Sequence, residues 1–382
     1  MPAISGPDKL SVVHFASGDL WGGAEAVVFT LVREQQRRNP GRVACVLMNP
    51  GQLADRLKEL GVPLLVLDES SQGIRTLVRL SGAFVDTVGP AVLHAHRRKE
   101  NVVALLVALR RFARPGRLAR VTTIHGMPEP VTQGNRLRRR VTEFVNDFTL
   151  TRGFDALVAV SRDIEQRMRA RLPRAAVVCV HNGVETSPLP SAHSPADTTR
   201  PLRLLALGRL VPIKRFERLR AISDALSSMR ERPEITLAGD GPLQAELTRT
   251  LGVDDPAVRI RMPGFIAQPE PLFAGADALL ITSDHEGIPM VALEALARGI
   301  PVFGFAVGGL PEIAESGVPM KLVAPGDSAA LARAVHEHFA ATPAGLRQPP
   351  PAHWKFSIEH CVDEYERLYA RVAGNSADTG QA

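Results

Sequence analysis

Short apolar runs alternate with helix-forming segments along almost the whole chain, and this alternation is the feature that most constrains the fold. The strand-like runs are 11–16, 43–48, 62–67, 91–96, 121–126, 156–160, 177–180, 202–207, 234–238, 258–262, 278–281 and 300–305. Strands that alternate with helices indicate parallel, doubly wound α/β sheets. The sequence therefore predicts an α/β fold.

The chain is long enough for two domains. It has 382 residues, which exceeds one typical domain. Residues 186–200 are rich in Ser, Thr, Pro and Ala and lack apolar periodicity, which is typical of a linker. We predict Rossmann-like domains at 1–190 and 191–350, followed at 351–382 by an amphipathic helix with a disordered tail.

The basic residues are concentrated in the first half of the chain. The net charge is +6, but residues 1–190 hold 27 Lys and Arg against 17 Asp and Glu, whereas the remainder holds 19 against 23. A basic half implies an anionic partner: a membrane surface, a lipid diphosphate or a nucleic acid. Nucleic acid is disfavoured because no aromatic-rich stacking motif accompanies the charge.

No stretch of the sequence predicts a membrane span. The chain contains no run of 18 apolar residues, and its N-terminus lacks the features of a signal peptide. We expect a cytoplasmic protein, with peripheral attachment to the inner face of the cell membrane as an open alternative. Attachment would use two groups of arginines: Arg110, Arg111, Arg114, Arg117 and Arg120, and Arg136, Arg138, Arg139 and Arg140. We expect the apolar segment 102–109, which precedes them, to be buried in the core. The competing interpretation is a soluble surface that is rich in arginine by composition alone.

Two carboxylates bracket the stretch 283–297, which reads SDHEGIPMVALEALA. Glu286 follows an apolar strand, and Glu294 lies in the next helix, with seven residues between them. Ligands bind at the carboxyl edge of open parallel sheets. Ionised carboxylates only accept hydrogen bonds, so they suit the hydroxyls of a sugar. The alternative is that Glu294 is an ordinary solvated helix residue.

Two cations follow a predicted strand of the second domain. Arg209 and Lys214 lie in the segment that begins at Gly208, and the sequence contains no D-x-D triplet that could hold a metal. A diphosphate carries about two negative charges, which Arg and Lys together can neutralise. We therefore predict a diphosphate site without metal, against the alternative of two unrelated surface cations.

Glycines follow other strands. Gly22 and Gly23 separate the first strand from a helix, where backbone amides can approach an anion, although a plain tight turn would look the same. Gly239 opens a Gly-Asp-Gly-Pro loop that does not complete G-x-G-x-x-G. A dinucleotide dehydrogenase is therefore disfavoured.

These motifs together resemble the retaining glycosyltransferases of the GT-B fold, of the family 4 type. The resemblance covers nearly the whole chain and is most specific at 208–214 and 283–297. It implies two Rossmann-like, doubly wound domains that face a cleft, with the C-terminal helix crossing back onto the N-terminal domain. It also implies that the N-terminal domain binds the acceptor.

The resemblance implies roles for individual residues. Arg209 and Lys214 stabilise the departing diphosphate, Glu286 and His125 contact the donor sugar, and Glu294 binds the ribose. The remaining donor-binding residues that it implies are Gly22, Gly23, Gly208, Gly239, Phe265, Ile266, Gly287, Ile288, Gly308, Gly309 and Leu310. No cofactor and no metal are implied.

The function predicted in this way is transfer of a sugar, with retention, from a UDP- or GDP-linked donor to a hydroxyl of a sugar or lipid-linked acceptor. The context that we expect is synthesis of a bacterial cell-surface polysaccharide or glycolipid. Two alternatives stay open. One is a nucleotide-sugar 2-epimerase of similar shape, and the other is a non-catalytic nucleotide-sugar-binding component of a polysaccharide assembly complex.

Overall fold

The computed structural model describes residues 11–18, 21–111, 118–126, 136–186, 200–228, 232–253, 255 and 258–378. The chain divides into two compact units. The N-terminal unit contains residues 1–183 and 358–382, and the C-terminal unit contains residues 184–357. Most of the predicted linker (187–199) and the end of the predicted tail (379–382) lie outside the described residues.

The N-terminal unit is a seven-stranded parallel sheet with helices on both faces. Its strands are β1 (Val12–Ala16), β2 (Val43–Leu47), β3 (Leu64–Val66), β4 (Val92–Ala95), β5 (Ala119–Ile124), β6 (Ala156–Ala159) and β7 (Val177–Cys179). Its helices are α1 (Gly23–Arg38), α2 (Gln52–Glu59), α3 (Ile74–Val88), α4 (Arg98–Arg110), α5 (Arg136–Gly153) and α6 (Arg162–Arg171). The strand order is β3-β2-β1-β4-β5-β6-β7.

Both faces of this sheet are covered, which explains why its strands are apolar runs without alternation. One face packs in a cluster that includes Val12, Val43 and Val121, and the opposite face in a cluster that includes Val13, Leu93 and Leu157. Ser161 is the N-cap of α6, as its position before the helix predicts, and its Oγ accepts a hydrogen bond from the Ile164 amide at 3.2 Å.

The last helix of the chain belongs to the N-terminal unit. Its amphipathic side is buried in the first of these two clusters, through Ile358, Cys361, Val362, Tyr365, Leu368 and Tyr369. Arg38 of α1 donates to Asp363 at 2.5 Å and so adds a polar contact between the two helices. The return of the helix to this unit is what the family resemblance implied.

The C-terminal unit is a six-stranded parallel sheet of order β10-β9-β8-β11-β12-β13. Its strands are β8 (Arg203–Leu207), β9 (Glu234–Ala238), β10 (Ile260–Gly264), β11 (Ala278–Ile281), β12 (Val302–Phe305) and β13 (Met320–Val323). Its helices are α7 (Arg218–Ala225), α8 (Gln244–Leu251), α9 (Glu270–Gly275), α10 (Met290–Ala297), α11 (Leu310–Ala314) and α12 (Ser328–Ala341), and the C-terminal helix described above (Ile358–Asp378) is therefore α13. Short 3₁₀ turns occupy Pro212–Lys214 and Leu226–Ser228.

The prediction of two doubly wound α/β domains is confirmed, but one expectation about α4 is wrong. Only part of the segment 102–109 is buried, because a helix presents one stripe to the core and the opposite stripe to solvent. Val103 and Val107 are buried, whereas Val102, Leu106 and Leu109 are exposed. Among the described residues, no helix combines the length and the apolar character that crossing a bilayer would require.

Candidate functional site

The predicted donor-binding residues of the C-terminal unit lie after the carboxyl ends of its parallel strands. Residues 208–214 follow β8, Gly239 follows β9, and Phe265 and Ile266 follow β10. Residues 283–288 follow β11, and residues 308–310 follow β12. In a parallel sheet these ends share one edge, which is where open α/β sheets bind ligands.

A salt bridge joins the two strongest sequence motifs. Lys214 Nζ donates to Glu286 Oε1 at 2.7 Å, and Ser283 Oγ donates to the same oxygen at 2.5 Å. Glu286 is 9% exposed, so its charge is partly desolvated and depends on these donors. No described residue donates to its other oxygen, Oε2, which leaves that atom for a ligand hydroxyl.

Backbone contacts hold the segments of Lys214 and Glu286 together. The Asp284 amide donates to the Ile213 carbonyl at 2.9 Å, and Thr282 Oγ1 donates to the Lys214 carbonyl at 2.8 Å. Arg218 bonds the Thr282 carbonyl at 2.8 Å and pairs with Asp284 at 2.7 Å. The fold therefore fixes the backbone of Lys214 beside the Glu286 loop, and the salt bridge then positions its ammonium.

Gly308 and Gly309 pack against the backbone of the Glu286 loop. The Gly309 amide donates to the Glu286 carbonyl at 3.1 Å. A Cβ on Gly308 would lie 1.8 Å from the Glu286 carbonyl oxygen, and one on Gly309 would lie 2.1 Å from the Gly287 carbonyl oxygen. Gly308 also has a φ of +52°, so glycine is required there on two grounds.

The glycine after β9 is equally confined. A Cβ on Gly239, whose φ is +140°, would lie 2.0 Å from the Gly208 carbonyl oxygen. The loops after β8 and β9 therefore approach each other so closely that no side chain fits between their backbones. Arg209 is exposed, and no hydrogen bond joins its guanidinium to another described residue. That group is free to meet an anion.

Glu294 differs from Glu286 because its carboxylate has no hydrogen-bond donor among the described residues. Its position in the second turn of α10 is half-buried. Burial raises the pKa of Glu294 to about 7, the nearby negative charge of Glu270 adds to the rise, and the positive charge of Arg298 opposes it. A raised pKa on a carboxylate without a partner is typical of a site that awaits a ligand.

The remaining predicted donor-binding positions of this unit vary in burial. Phe265 is 46% exposed and Ile266 is half-buried, so both can meet a ligand, whereas Ile288 and Leu310 are buried. At the last two positions only the backbone could contact a donor.

In the N-terminal unit, Gly22 and Gly23 lie at the start of α1. The Gly22 amide donates to Glu25 Oε2 at 3.1 Å, so a carboxylate already occupies the anion-binding position of this amide. Glu25 is buried and pairs with Arg97. Beside Gly23 the described residues leave open space.

His125 is the last of three hydrogen-bonded histidines. Its Nε2 lies 3.2 Å from His96 Nδ1, and His96 Nε2 lies 3.0 Å from His14 Nδ1. Burial lowers the pKa of His14 to about 4 and that of His125 to about 3, and it holds the pKa of His96 well below its usual value. The positive charge of Arg97 also lowers the pKa of His125. All three rings are therefore neutral near pH 7.

A cavity of about 270 Å³ lies beside this ring. Its lining includes Ala24, Arg97, Asn101, His125, Asp147 and Arg171. His125 Nδ1 is buried and has no hydrogen-bond partner among the described residues. The cavity is therefore lined both by cations and by a histidine with an unpaired ring nitrogen.

Sequence reasoning missed three members of these networks. The sequence places His14 only in the first strand and Ser283 only in the stretch with the two carboxylates. Gln35 on α1, whose Oε1 lies 2.8 Å from His14 Nε2, was not identified at all. The available signal is that histidines lie in or directly after β1, β4 and β5, since these neighbouring parallel strands bring such residues close together.

Comparison with known families matches each unit separately. Residues 21–188 match the family described as Glycosyltransferase Family 4, and residues 201–340 match Glycosyl transferases group 1. These two matches fall in the N-terminal and C-terminal units, respectively.

Two curated relatives and one solved structure illustrate the similarity. N-acetyl-alpha-D-glucosaminyl L-malate synthase of Bacillus anthracis is 23% identical over 74% of each chain. 2-Deoxystreptamine N-acetyl-D-glucosaminyltransferase of Streptomyces fradiae is 24% identical over 95% of this chain and 94% of its own. The crystal structure of Anabaena HepE in complex with UDP-glucose has a TM-score of 0.68 at 19% identity and covers 97% of this chain and 99% of that one. At this identity the structural likeness shows a shared fold.

Proposed function

Since the chain belongs to the group 1 glycosyltransferases and has the GT-B fold, we propose that it moves a sugar from a nucleotide-diphospho-sugar to an acceptor hydroxyl, with retention at the anomeric carbon. The observation that carries this proposal is the Lys214–Glu286 pair at 2.7 Å on the ligand-binding edge of the C-terminal sheet. The pair offers a cation for a phosphate and a carboxylate for a sugar hydroxyl.

Lys214 can contact Glu286 and a phosphate of the donor at the same time. An ammonium has three N–H donors, so one can stay on Glu286 while another reaches a phosphate oxygen of the donor. The exposed guanidinium of Arg209 supplies a second charge. Since negative charge develops on the diphosphate as the bond to the anomeric carbon breaks, these cations stabilise the transition state more than the bound donor.

The proposed reaction balances without an enzymic nucleophile. The bond from the anomeric carbon to the phosphate oxygen breaks, and the acceptor oxygen bonds the anomeric carbon on the same face. The acceptor proton passes to the departing phosphate. Glu286, His125 and the backbone at Gly308 and Gly309 orient the sugar, and Glu294 accepts from the ribose hydroxyls.

We propose UDP as the nucleotide of the donor. Support comes from HepE, which was solved with UDP, with UDP and glucose, and with UDP-glucose. For the acceptor we propose a sugar or a lipid-linked sugar of the bacterial cell surface, bound by the N-terminal unit. Its cavity, at Asn101 and Asp147, offers polar groups that suit hydroxyls.

The test is release of nucleotide from a panel of UDP- and GDP-sugars, with and without acceptors, followed by NMR of the product. We expect UDP-sugars to be hydrolysed slowly and GDP-sugars not to be hydrolysed. The anomeric configuration of the transferred sugar should match that of the donor. An inverted product would refute retention, and release from GDP-sugars alone would refute the choice of base.

We also propose that the N-terminal unit binds anionic membranes peripherally. On α4 and α5, which contact each other, the exposed apolar side chains are Val102, Leu106, Leu109, Phe144, Val145 and Phe148. Exposed arginines accompany them at 98, 110, 140 and 152. Apolar side chains flanked by basic ones are typical of helices that lie in the membrane interface, and each basic residue near an anionic surface contributes about 1 kcal/mol.

A vesicle experiment tests this attachment. Phe144 and Phe148 are 72% and 60% exposed, so replacing both with Ser should cost little stability but should reduce co-sedimentation with anionic vesicles by at least about tenfold. Leu346→Ser, at a residue that is 62% exposed in the C-terminal unit, is the control. Equal partitioning of the double variant and the control, or equal binding to neutral vesicles, would contradict the proposal.

A further inference from the structure

A line of buried polar groups crosses the interior of the N-terminal unit and ends at His125. It begins at Gln35 in α1, continues through His14 in the middle of β1 and His96 after β4, and reaches His125 after β5. The successive donor–acceptor distances are 2.8, 3.0 and 3.2 Å. Neighbouring rings in the line are stacked, with centroids 5.3 and 5.4 Å apart.

The side-chain amide of Gln35 determines which nitrogen of each histidine donates and which accepts. Its Oε1 can only accept, so the proton of His14 must lie on Nε2, which leaves His14 Nδ1 as an acceptor. The same side chain also affects the Tyr369 hydroxyl: burial raises the pKa of that hydroxyl well above its usual value, and the Gln35 side chain opposes the rise. Tyr369 in turn contacts His94 Nδ1 at 2.7 Å.

The tautomer of each ring determines that of the next, because a neutral imidazole has one donor and one acceptor nitrogen. His96 must donate from Nε2 to His14, so its Nδ1 accepts. His125 must then donate from Nε2 to His96. The remaining nitrogen, His125 Nδ1, carries a lone pair, is buried and has no partner among the described residues.

We propose that Gln35 is a positioning residue that fixes the tautomer of His125. Acting through His14 and His96, its amide oxygen keeps His125 Nδ1 unprotonated, as an acceptor for a hydroxyl of the transferred sugar. This inference rests on the proposed function for the identity of the ligand. The opposite tautomer would present a donor at the same point, which a hydroxyl would meet with its oxygen, so its own O–H would need a different acceptor.

The charges that surround the line do not disturb this arrangement. Low pKa values keep the three rings neutral, and Arg97, the nearest cation, opposes protonation of His96 and His125. Three nitrogens of His14, His94 and His96 lie close enough to suggest a metal. However, His14 is already hydrogen-bonded to Gln35, and His94 to Tyr369 and Thr123. The structure therefore supports a chain of hydrogen bonds at this position instead of a metal site.

The test uses long-range ¹H–¹⁵N correlation of the imidazole rings in the full chain, with each ring assigned from its own His→Gln variant. In the wild type we expect His125 protonated on Nε2 alone. Gln35→Met cannot fix His14 and should give mixed tautomers at His125. Gln35→Glu favours a second proton on His14, at Nδ1, so that His14 donates to His96 and His96 donates to His125. His125 should then be protonated on Nδ1. Gln36→Met, on the same helix, should change neither ring.

Kinetics separate positioning from a structural role. Both Gln35 variants should lower kcat/KM for the sugar donor by about tenfold to a hundredfold, the usual effect of an unpaired buried polar group. UDP has no transferred sugar, so its Kd should stay unchanged. Wild-type His125 protonated on Nδ1, or wild-type kcat/KM in both variants, would overturn the inference. The tautomer measurement needs no turnover, so it remains decisive even if the proposed reaction fails.

Discussion

Replacing Glu294 with Gln should make the protein more stable and less active. In the C-terminal unit this carboxylate is half-buried, and burial raises its pKa to about 7. Arg298 does not relieve the burial through a salt bridge, because its guanidinium donates to the Glu294 backbone carbonyl at 2.8 Å. The folded state therefore holds a carboxylate that is poorly solvated until a ligand donates to it.

The sign of the stability effect follows from proton linkage. A side chain whose pKa is higher in the folded state than in the unfolded state contributes stability below the unfolded value, and that contribution is lost as the pH rises through the folded value. The pKa of Glu294 rises from 4.5 to about 7, which corresponds to at most about 3 kcal/mol. Partial solvent access lowers this to about 1–2 kcal/mol. The loss should occur between about pH 4.5 and pH 7.

Glu294→Gln is neutral at every pH and escapes this loss. It should match the wild type near pH 4.5 and exceed it at pH 8 by about 1–2 kcal/mol, or about 2–8 °C in Tm for a unit of this size. The ribose hydroxyls would lose a charged acceptor, so UDP should bind about 10- to 100-fold more weakly. Affinity for UDP should increase with pH in both proteins, because the terminal phosphate of UDP ionises at about pH 6, but the increase should be larger in the wild type, where Glu294 also ionises at about pH 7.

Thermal unfolding and calorimetric titration with UDP, each at pH 5 and pH 8, measure both effects. Glu337→Gln, at an exposed position in α12, is the matched control and should change neither quantity. Equal Tm values of Glu294→Gln and wild type at pH 8 would show that the carboxylate is well solvated. Unchanged affinity for UDP would remove Glu294 from the ribose site.

Three further predictions concern the same edge of the sheet. Lys214→Ala should reduce kcat by about 100- to 1000-fold with the fold retained. The control variant Lys321→Ala should turn over normally. Near-normal turnover of Lys214→Ala would refute the role of Lys214 on the diphosphate. Turnover should persist in excess EDTA, because two cations replace a metal ion; complete loss that Mg²⁺ or Mn²⁺ reverses would contradict this. Gly308→Ala should displace the Glu286 loop and abolish donor binding, since its Cβ would overlap a carbonyl oxygen. Gly317→Ala, at a φ of +78°, would place its Cβ no closer than 3.9 Å to Pro351 Cγ and should cost only about 1–2 kcal/mol. Equal losses in the two glycine variants would show that strain alone is responsible.

The strands were predictable because a covered parallel sheet leaves no polar face. Residues 234–238 and 278–281 were predicted as strands at the bounds that the structure has. Weaker signals were missed: β13 and the helix α12 after it were not identified. The alternation of helix and strand sufficed to predict the class of fold without them.

The interior of α4 could not be predicted in the same way. Its apolar residues surround the helix almost completely, so periodicity does not distinguish the buried stripe from the exposed one. The structure distinguishes them because α3 and the sheet cover one side only. The exposed side chains at 102, 106 and 109 are what make peripheral membrane binding a physical proposal instead of an argument from net charge.

In the C-terminal unit, local motifs located the candidate site because each motif lies within one loop. Glu286, for example, is recognisable from its neighbours in sequence, although its salt bridge to Lys214 joins residues 72 positions apart. The glycines were recognisable only as a resemblance. Their physical reason, contact between bare backbones of adjacent loops, requires the coordinates.

The hydrogen bonds of α13 show why the polar interior of the N-terminal unit is harder to predict than its strands. Tyr365 and Tyr369 fit the apolar stripe of α13, and packing alone accounts for their spacing. In the structure their hydroxyls also contact Thr123 and His94, at 2.9 and 2.7 Å. A hydrophobic pattern records which face of a helix is buried but not which polar atoms on that face need partners. The C-terminal helix therefore helps to orient His94 of β4, directly through Tyr369 and indirectly through Thr123 of β5, by contacts between residues more than 240 positions apart in the chain.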